Sequence, residues 1–380
     1  MKIVFLSNYY NHHQSALARR LQRLSEGWFS FIKTTEIGAE RVALGWKTDE
    51  PEYVVSYASD PERAQAAIED ADIVIYGAAP VELIRSRVKA GLPVFKYSER
   101  IFKNARTRIT LPLRVFKYRR DYGRRGNVFL LCASAYAAAD YAKTLAFRNK
   151  AYKWGYFPET VLYEEDLWRK KEPRSILWAG RFIEWKHPEA PVLLAERLMR
   201  AGENFTMKMV GRGEMLQRIQ IMAERRGVSG KIKFLGAMPP SEVRAEMEKA
   251  SIFIATSDFN EGWGAVVGEA MNSGCAVVAS HAMGSAPFLI EHGKNGRLYK
   301  NGDIAGLERH VTEFLVDERA AAETGKNAYD AIVSEWNADV AADRIVAFGE
   351  ALLSGNTLPV YDSGPLSEAP VLSNRYKYEK

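Results

Sequence analysis

Two carboxylates, Glu261 and Glu269, stand eight positions apart with Gly262 and Gly264 between them. Glycines at such points permit a tight turn and let a ligand approach the backbone closely. Residues 265–271 then predict a helix, stopped by Ser273-Gly274. Glu269 is placed on that helix and Glu261 on the loop before it. Carboxylates so arranged accept hydrogen bonds from hydroxyls at two points along one extended ligand. The intervening helix start offers N–H groups and a partial positive charge to an anion.

A second constellation lies about eighty residues upstream, in Gly180-Arg181 and Lys186. Gly180 ends an apolar strand pattern over 175–179, and strand ends in open α/β sheets face the ligand crevice. Arginine as a planar fork and lysine as a point charge together neutralise a diphosphate. Between the two constellations, Val210-Gly211-Arg212-Gly213 reads as strand, glycine turn and helix start. The third glycine of a dinucleotide fingerprint is missing, since position 216 is Leu, so a nucleotide-dependent dehydrogenase is disfavoured. Leu235-Gly236 closes a further strand, either as a core strand ending in a turn or as a wall of the same site.

These residues need a frame, and the chain supplies one twice. Apolar runs at 2–6, 73–76, 94–97 and 128–132 alternate with helical patterns at 14–24 and 80–90. After a charged stretch at 163–174 the alternation restarts, with strands at 175–179, 206–210, 232–235, 252–256, 276–279 and 297–299. Helical patterns at 188–199 and 214–226 separate them. Such alternation predicts parallel sheets covered by helices, hence two doubly wound α/β domains with a boundary near residue 165. A helix is expected over 338–353 and a mobile or loosely packed tail over 355–380.

The 380 residues are 47% hydrophobic, enough for two cores, and the net charge of +6 favours an anionic partner. Cys132 and Cys275 sit in apolar surroundings and read as buried thiols. The opening apolar run is too short for a signal peptide, and no run approaches the roughly 18 apolar residues of a membrane span. A cytoplasmic chain, peripheral to a membrane at most, is expected.

The 261–279 segment, Glu261 through Glu269-Ala270-Met271 to Gly274 and Val277-Val278-Ala279, resembles the E-x7-E motif of retaining glycosyltransferases of family 4. Gly180-Arg181 with Lys186 is similar to that family's GR-x4-K motif, Val210-Gly211 with Gly213 to its VG-x-G turn, and Phe234-Leu235-Gly236 to its F-x-G segment. The resemblance implies the GT-B fold: two Rossmann-like domains facing a central cleft. Residues 1–165 would bind acceptor, 166–335 would bind a nucleotide-sugar, and 336–354 would return to the first domain ahead of the 355–380 tail. It implies a metal-independent transfer from a nucleotide-diphosphate sugar, UDP-linked by expectation, to a polysaccharide or lipid-linked saccharide, with no cofactor. Arg181, Lys186 and Glu261 would be catalytic, with Glu261 on the sugar hydroxyls. Gly180, Gly211, Leu235, Gly264, Ala265, Val266 and Glu269 would hold the donor, Glu269 at the ribose. Two positions depart from the family pattern: His187 stands where glycine is usual, and Phe288 where a glutamate is usual. Backbone amides of Gly284 and Ser285 remain as phosphate donors. Asp70-Ala71-Asp72 spells a metal-binding D-x-D but precedes a buried strand, which argues for a structural role.

The acceptor side offers His12 and His13, after the first strand, and Glu99, after the 94–97 strand. Each histidine is either a cleft residue or part of a helix cap. Zinc ligation by both is disfavoured, because adjacent histidines are expected to point apart. Glu99 is either an acceptor contact or an arginine-paired surface group. Residues 100–125 interleave Arg100, Lys103, Arg106, Arg108, Arg114, Lys117, Arg119, Arg120, Arg124 and Arg125 with Phe102, Phe116 and Tyr118. The stretch suits an anionic membrane surface, or is simply a solvated face, and no nucleic-acid-binding fold accompanies it. A nucleotide-sugar epimerase and a non-catalytic nucleotide- or membrane-binding scaffold are the rival functions.

Overall fold

Strand after strand buries both faces, as IVFLS, VFLLC and AVVAS do. Runs of that kind are stable only with helices above and below them. The computed structural model describes residues 1–42, 45, 48–103, 109–122 and 126–378. It divides into two units, Met1–Glu159 with Glu335–Ser373, and Thr160–Ser334 with the residues from Asn374 onward.

In the first unit the strands are β1 (Ile3–Ser7), β2 (Phe29–Lys33), β3 (Val54–Ser56), β4 (Ile73–Tyr76), β5 (Val94–Ser98), β6 (Val128–Cys132) and β7 (Ala151–Lys153). They form one sheet in the order β3-β2-β1-β4-β5-β6-β7, with every pair parallel. The second unit contains β8 (Glu172–Ala179), β9 (Thr206–Val210), β10 (Ile232–Gly236), β11 (Ala250–Ala255), β12 (Ala276–Ser280) and β13 (Arg297–Tyr299). Its order is β10-β9-β8-β11-β12-β13, again parallel throughout. Both orders reverse direction in the middle, between β1 and β4 and between β8 and β11. Loops leaving the carboxyl ends of those strands diverge there and leave a crevice, which is where open α/β sheets bind ligands.

Three strands escaped the sequence reading. β2 carries polar residues within FSFIK, and β3 and β7 are three-residue edges. The unit boundary falls at Glu159/Thr160. Asn337 caps the helix Ala338–Leu353, which packs within the first unit, where Arg20 bonds Asp343 at 2.8 Å. The expected mobile tail is corrected. Leu366, Ser367 and Ala369 are buried, and the backbone pairs with edge strand β7: Lys153 N donates to Ser367 O and Leu366 N to Lys153 O, each at 2.8 Å. An exposed strand edge presents unpaired amides and carbonyls, and this segment covers them. Backbone pairing needs no apolar periodicity, so composition gave no sign of it.

Candidate functional site

In the second unit both predicted constellations leave the reversal point. Arg181 and Lys186 follow β8, and Glu261 follows β11. Lys186 Nζ pairs with the Glu261 carboxylate, and both side chains are largely shielded. The Arg181 guanidinium lies over the Trp185 ring, 5.5 Å from its centroid, which holds the fork in place. The two loops are stitched together by neutral bonds. Trp178 Nε1 donates to Thr256 Oγ1 at 2.8 Å, Thr256 Oγ1 donates to the Lys186 carbonyl at 2.6 Å, and Asp258 N donates to the Trp185 carbonyl at 2.9 Å.

Gly180 N bonds the Val210 carbonyl at 3.0 Å, bringing the GR turn beside the glycine turn after β9. Gly211 has φ +138°, and a Cβ there would lie inside the Gly180 carbonyl. Glycine at 211 is therefore required by close approach as well as by conformation. Gly264, at φ +81°, turns the chain into the helix Val266–Asn272, and its carbonyl accepts from Ser285 Oγ at 3.1 Å. Ala265 and Val266 open that helix, and Glu269 sits in its first turn. Desolvation raises the Glu269 carboxyl above its usual range, while the charges of Arg244 and Lys186 pull it down. Leu235 is the extra residue of a bulge: Phe234 pairs with Met209 and Gly236 with Val210. One predicted donor is removed, because Ser285 N is already bonded to the Trp263 carbonyl at 2.9 Å.

His187, the departure from the motif, adopts the left-handed conformation (φ 49°, ψ 56°). The turn therefore keeps the shape that glycine would give it. Its ring nitrogens face Glu189 Oε1 at 2.7 Å and Asp258 Oδ2 at 3.5 Å. Asp258 and Glu189 together push its pKa up to about 10. Asp258 was not singled out from sequence, and only its place two residues after the β11 pattern hinted at it.

In the first unit, Asn11 caps the helix His12–Leu24, accepting from His13 N at 2.9 Å. The rings of His12 and His13 lie 3.9 Å apart, which corrects the expectation that they diverge. His13 also stacks near Tyr156 at 5.8 Å, and Tyr156 OH donates to Glu99 Oε1 at 2.5 Å. Tyr156 thereby joins His13, and through it His12, to Glu99, and sequence reasoning missed it. Glu99 takes a second bond from Lys103 at 3.1 Å. The neighbouring Arg100 is buried against Asp140, with both contacts at 3.3 Å. Asp70 and Asp72 both bond Lys2, at the amino end of β1 and away from the carboxyl edge.

Within the basic stretch, Arg106, Arg108, Arg124 and Arg125 lie outside the described residues. Helix Leu111–Tyr122 presents Leu113 and Phe116 outward at 74% and 69% exposure, after Ile109 at 82%. Lys117 and Arg120 are exposed beside them, and Asp121, the helix's acid, is buried against Arg120.

Residues 163–331 match the family described as Glycosyl transferases group 1. A Mycobacterium tuberculosis protein named GDP-mannose-dependent alpha-(1-6)-phosphatidylinositol monomannoside mannosyltransferase is 24% identical over 188 residues, 48% of each chain. A lipopolysaccharide core biosynthesis mannosyltransferase, LpcC of Rhizobium leguminosarum bv. viciae, is 32% identical over 130 residues, 34% of this chain and 36% of that protein. The chain thus spans about half the length, or less, of these curated relatives. Among solved structures, Anabaena HepE in complex with UDP superposes with a TM-score of 0.68 at 16% identity, over 93% of this chain and all of that one. At such identity the likeness is one of fold, the GT-B arrangement of two Rossmann-like domains.

Proposed function

We infer that the chain, whose residues 163–331 match the glycosyl transferases of group 1, is a retaining, metal-independent glycosyltransferase of the family 4 type. It moves a sugar from a nucleotide diphosphate onto a saccharide or lipid-linked acceptor of the cell envelope. One observation carries the reading: Arg181 and Lys186 stand together at the reversal point of the second sheet, with Glu261 against Lys186. Fixed cations aimed at a leaving diphosphate stabilise the charge that develops as the sugar departs. They supply the counter-charge that a divalent cation gives elsewhere, which is why we assign no metal. Glu261 accepts from the sugar hydroxyls, Glu269 from the ribose, and the turns at Gly180, Gly211, Leu235 and Gly264 line the nucleotide. His12, His13 and Glu99, linked through Tyr156, form the acceptor side.

The donor base is proposed to be uracil, as in the UDP bound to HepE, although the mycobacterial relative is named for GDP-mannose. Among the described residues no helix is long and apolar enough to cross a membrane. We place the enzyme in the cytoplasm, touching the inner membrane face through the helix Leu111–Tyr122.

A thermal-shift panel of UDP-, GDP- and ADP-sugars with EDTA present tests the donor, because a ligand that binds only the folded state raises the melting temperature. One nucleotide class should stabilise the chain, and with acceptor its sugar should be transferred with retained anomeric configuration. Stabilisation by none of them overturns the reading. A donor isomerised without acceptor would mark an epimerase, and a donor bound yet never consumed would mark a scaffold.

A further inference from the structure

We propose that His187 is a positioning residue, whose ring braces the Lys186 loop against the Glu261 loop and so sets the donor site before the donor arrives. The proposal rests on reading that site as one for a nucleoside diphosphate, and it adds a residue that the resembled motif does not contain.

The backbone comes first. The short turn Glu184–Lys186 ends at His187, whose N–H bonds the Glu184 carbonyl at 3.1 Å and whose φ of 49° is one that side-chain-bearing residues seldom adopt. Glycine takes this conformation at no steric cost. Histidine here must be held by something else, and strained backbone at functional sites persists when its surroundings over-determine it.

Two carboxylates do the holding, and they come from different elements. Glu189, in the first turn of the helix Glu189–Arg200, meets Nδ1 at 2.7 Å, and Asp258, on the loop after β11, meets Nε2 at 3.5 Å. Asp258 passes the connection on. Its carbonyl accepts from Glu261 N at 3.1 Å, and its carboxylate accepts from Asn260 N at 2.7 Å. The ring thus lies one residue from Lys186 on one loop and one relay from the Glu261 backbone on the other. With both nitrogens facing acids the imidazole is kept charged, and Arg218 is the further charge acting on Glu189.

The brace sits at the rim of the unit: the His187 side chain is 34% exposed and that of Asp258 22%. Removing it empties no core. Its loss should therefore be felt in how the two loops hold a ligand, not in whether the unit folds.

The test compares the full-length chain with His187→Gly, which keeps the turn, and with Asp258→Asn, which keeps an acceptor but removes the charge. Readouts are the melting temperature, the affinity for UDP and GDP by calorimetry, and donor KM and kcat separately. The expected result for His187→Gly is about ten-fold weaker nucleotide binding and a matching rise in donor KM, since small misplacements of positioning groups cost that much or more. The melting temperature should hold or rise. Because the two residues act as one unit, the double variant should be no worse than the worse single one. Unchanged affinity in His187→Gly overturns the proposal, as does a loss of affinity that only tracks a fall in melting temperature. A wild-type chain that binds no nucleoside diphosphate overturns the reading of the site itself, which is a different outcome from a wild type and a variant that bind alike.

Discussion

The carboxyl edges of the two sheets share a strand order, and one group at each, His187 and Lys96, is held in opposite ways. After β8 and β11, cations stand against acids: Lys186 against Glu261, and His187 between Glu189 and Asp258. Within β5, Lys96 is buried and pairs with no carboxylate among the described residues, its amine donating to the Gly77 carbonyl after β4 at 2.8 Å and lying 4.0 Å from the Tyr76 ring centroid. The consequence inverts the ordinary order of basicity. His187 is pushed up to about 10 by its acids, whereas burial, with Lys117 adding to it, pushes Lys96 down to about 7. Near pH 8.5 the histidine carries charge and the lysine does not. An edge of permanent charges suits a diphosphate, whose charge is always present. The nearly neutral Lys96 amine beside the Tyr76 ring suits hydroxyl-bearing ligands, which are read by hydrogen bonds and ring faces.

The largest effect expected from this contrast falls on the second edge. Lys186→Ala should lower turnover by on the order of 10²–10³, the cost of removing one preorganised charge from a developing anion. The variant also leaves Glu261 without this cation, so donor affinity should fall as well. Single-turnover measurement at saturating donor separates the two. Undiminished transfer would remove the leaving-group role and reduce the charged edge to a structural network.

A smaller effect tests the first edge. In the unfolded chain Lys96 titrates near its ordinary 10.5, and in the folded chain near 7. Between those values the unfolded state binds the extra proton, so stability rises with pH as the cost of a buried charge disappears. Lys96→Met removes that cost and also leaves the Gly77 carbonyl without its donor, so its absolute effect at any one pH is a difference of two terms. The trend is not: relative to wild type, Lys96→Met should lose ground by an amount on the order of a few kcal/mol as pH climbs from 7 towards 10.5. Tyr76, raised to about 12, titrates above this window, and Lys117 is the charged group that acts on Lys96. Parallel pH curves from urea melts would show that Lys96 is solvated after all.

How much of this was legible in the sequence depended on what kind of interaction builds each part. Strands buried on both faces, such as β1, β4, β6 and β12, announce themselves as apolar runs. The edge strands β3 and β7 are three residues long and partly exposed, and the 355–373 segment is held by main-chain bonds, so neither leaves a side-chain pattern. In the candidate site, Arg181, Lys186, Glu261 and Glu269 could be singled out because they sit close together in sequence within two motifs. Tyr156 was not, since it meets Glu99 across 57 residues of chain, and Asp258 was not, since its partner His187 lies in the other motif. The Ser285 amide was misassigned for a related reason: sequence shows a donor but not the Trp263 carbonyl that already occupies it.

The smallest effect concerns the outer surface of the first unit, and it asks whether that unit docks at a lipid surface. Ile109, Leu113 and Phe116 recur at helical spacing on an exposed face, with Lys117 and Arg120 beside them and Asp121 turned inward. Apolar side chains seated among headgroups and cations above anionic lipid are the two contributions an interfacial helix needs. Replacing Phe116 with Glu removes one apolar contact and adds a repelled charge, each worth about 1 kcal/mol or somewhat more, so partitioning onto vesicles should fall by roughly ten-fold. Vesicles of one-third phosphatidylglycerol in a sedimentation assay give the measurement, with neutral vesicles as control. The second unit's edge is untouched by the change, so nucleotide affinity and transfer to a water-soluble acceptor should stay at wild-type levels. Equal partitioning of Phe116→Glu and wild type would leave the stripe as an ordinary exposed face and confine the asymmetry between the units to their carboxyl edges.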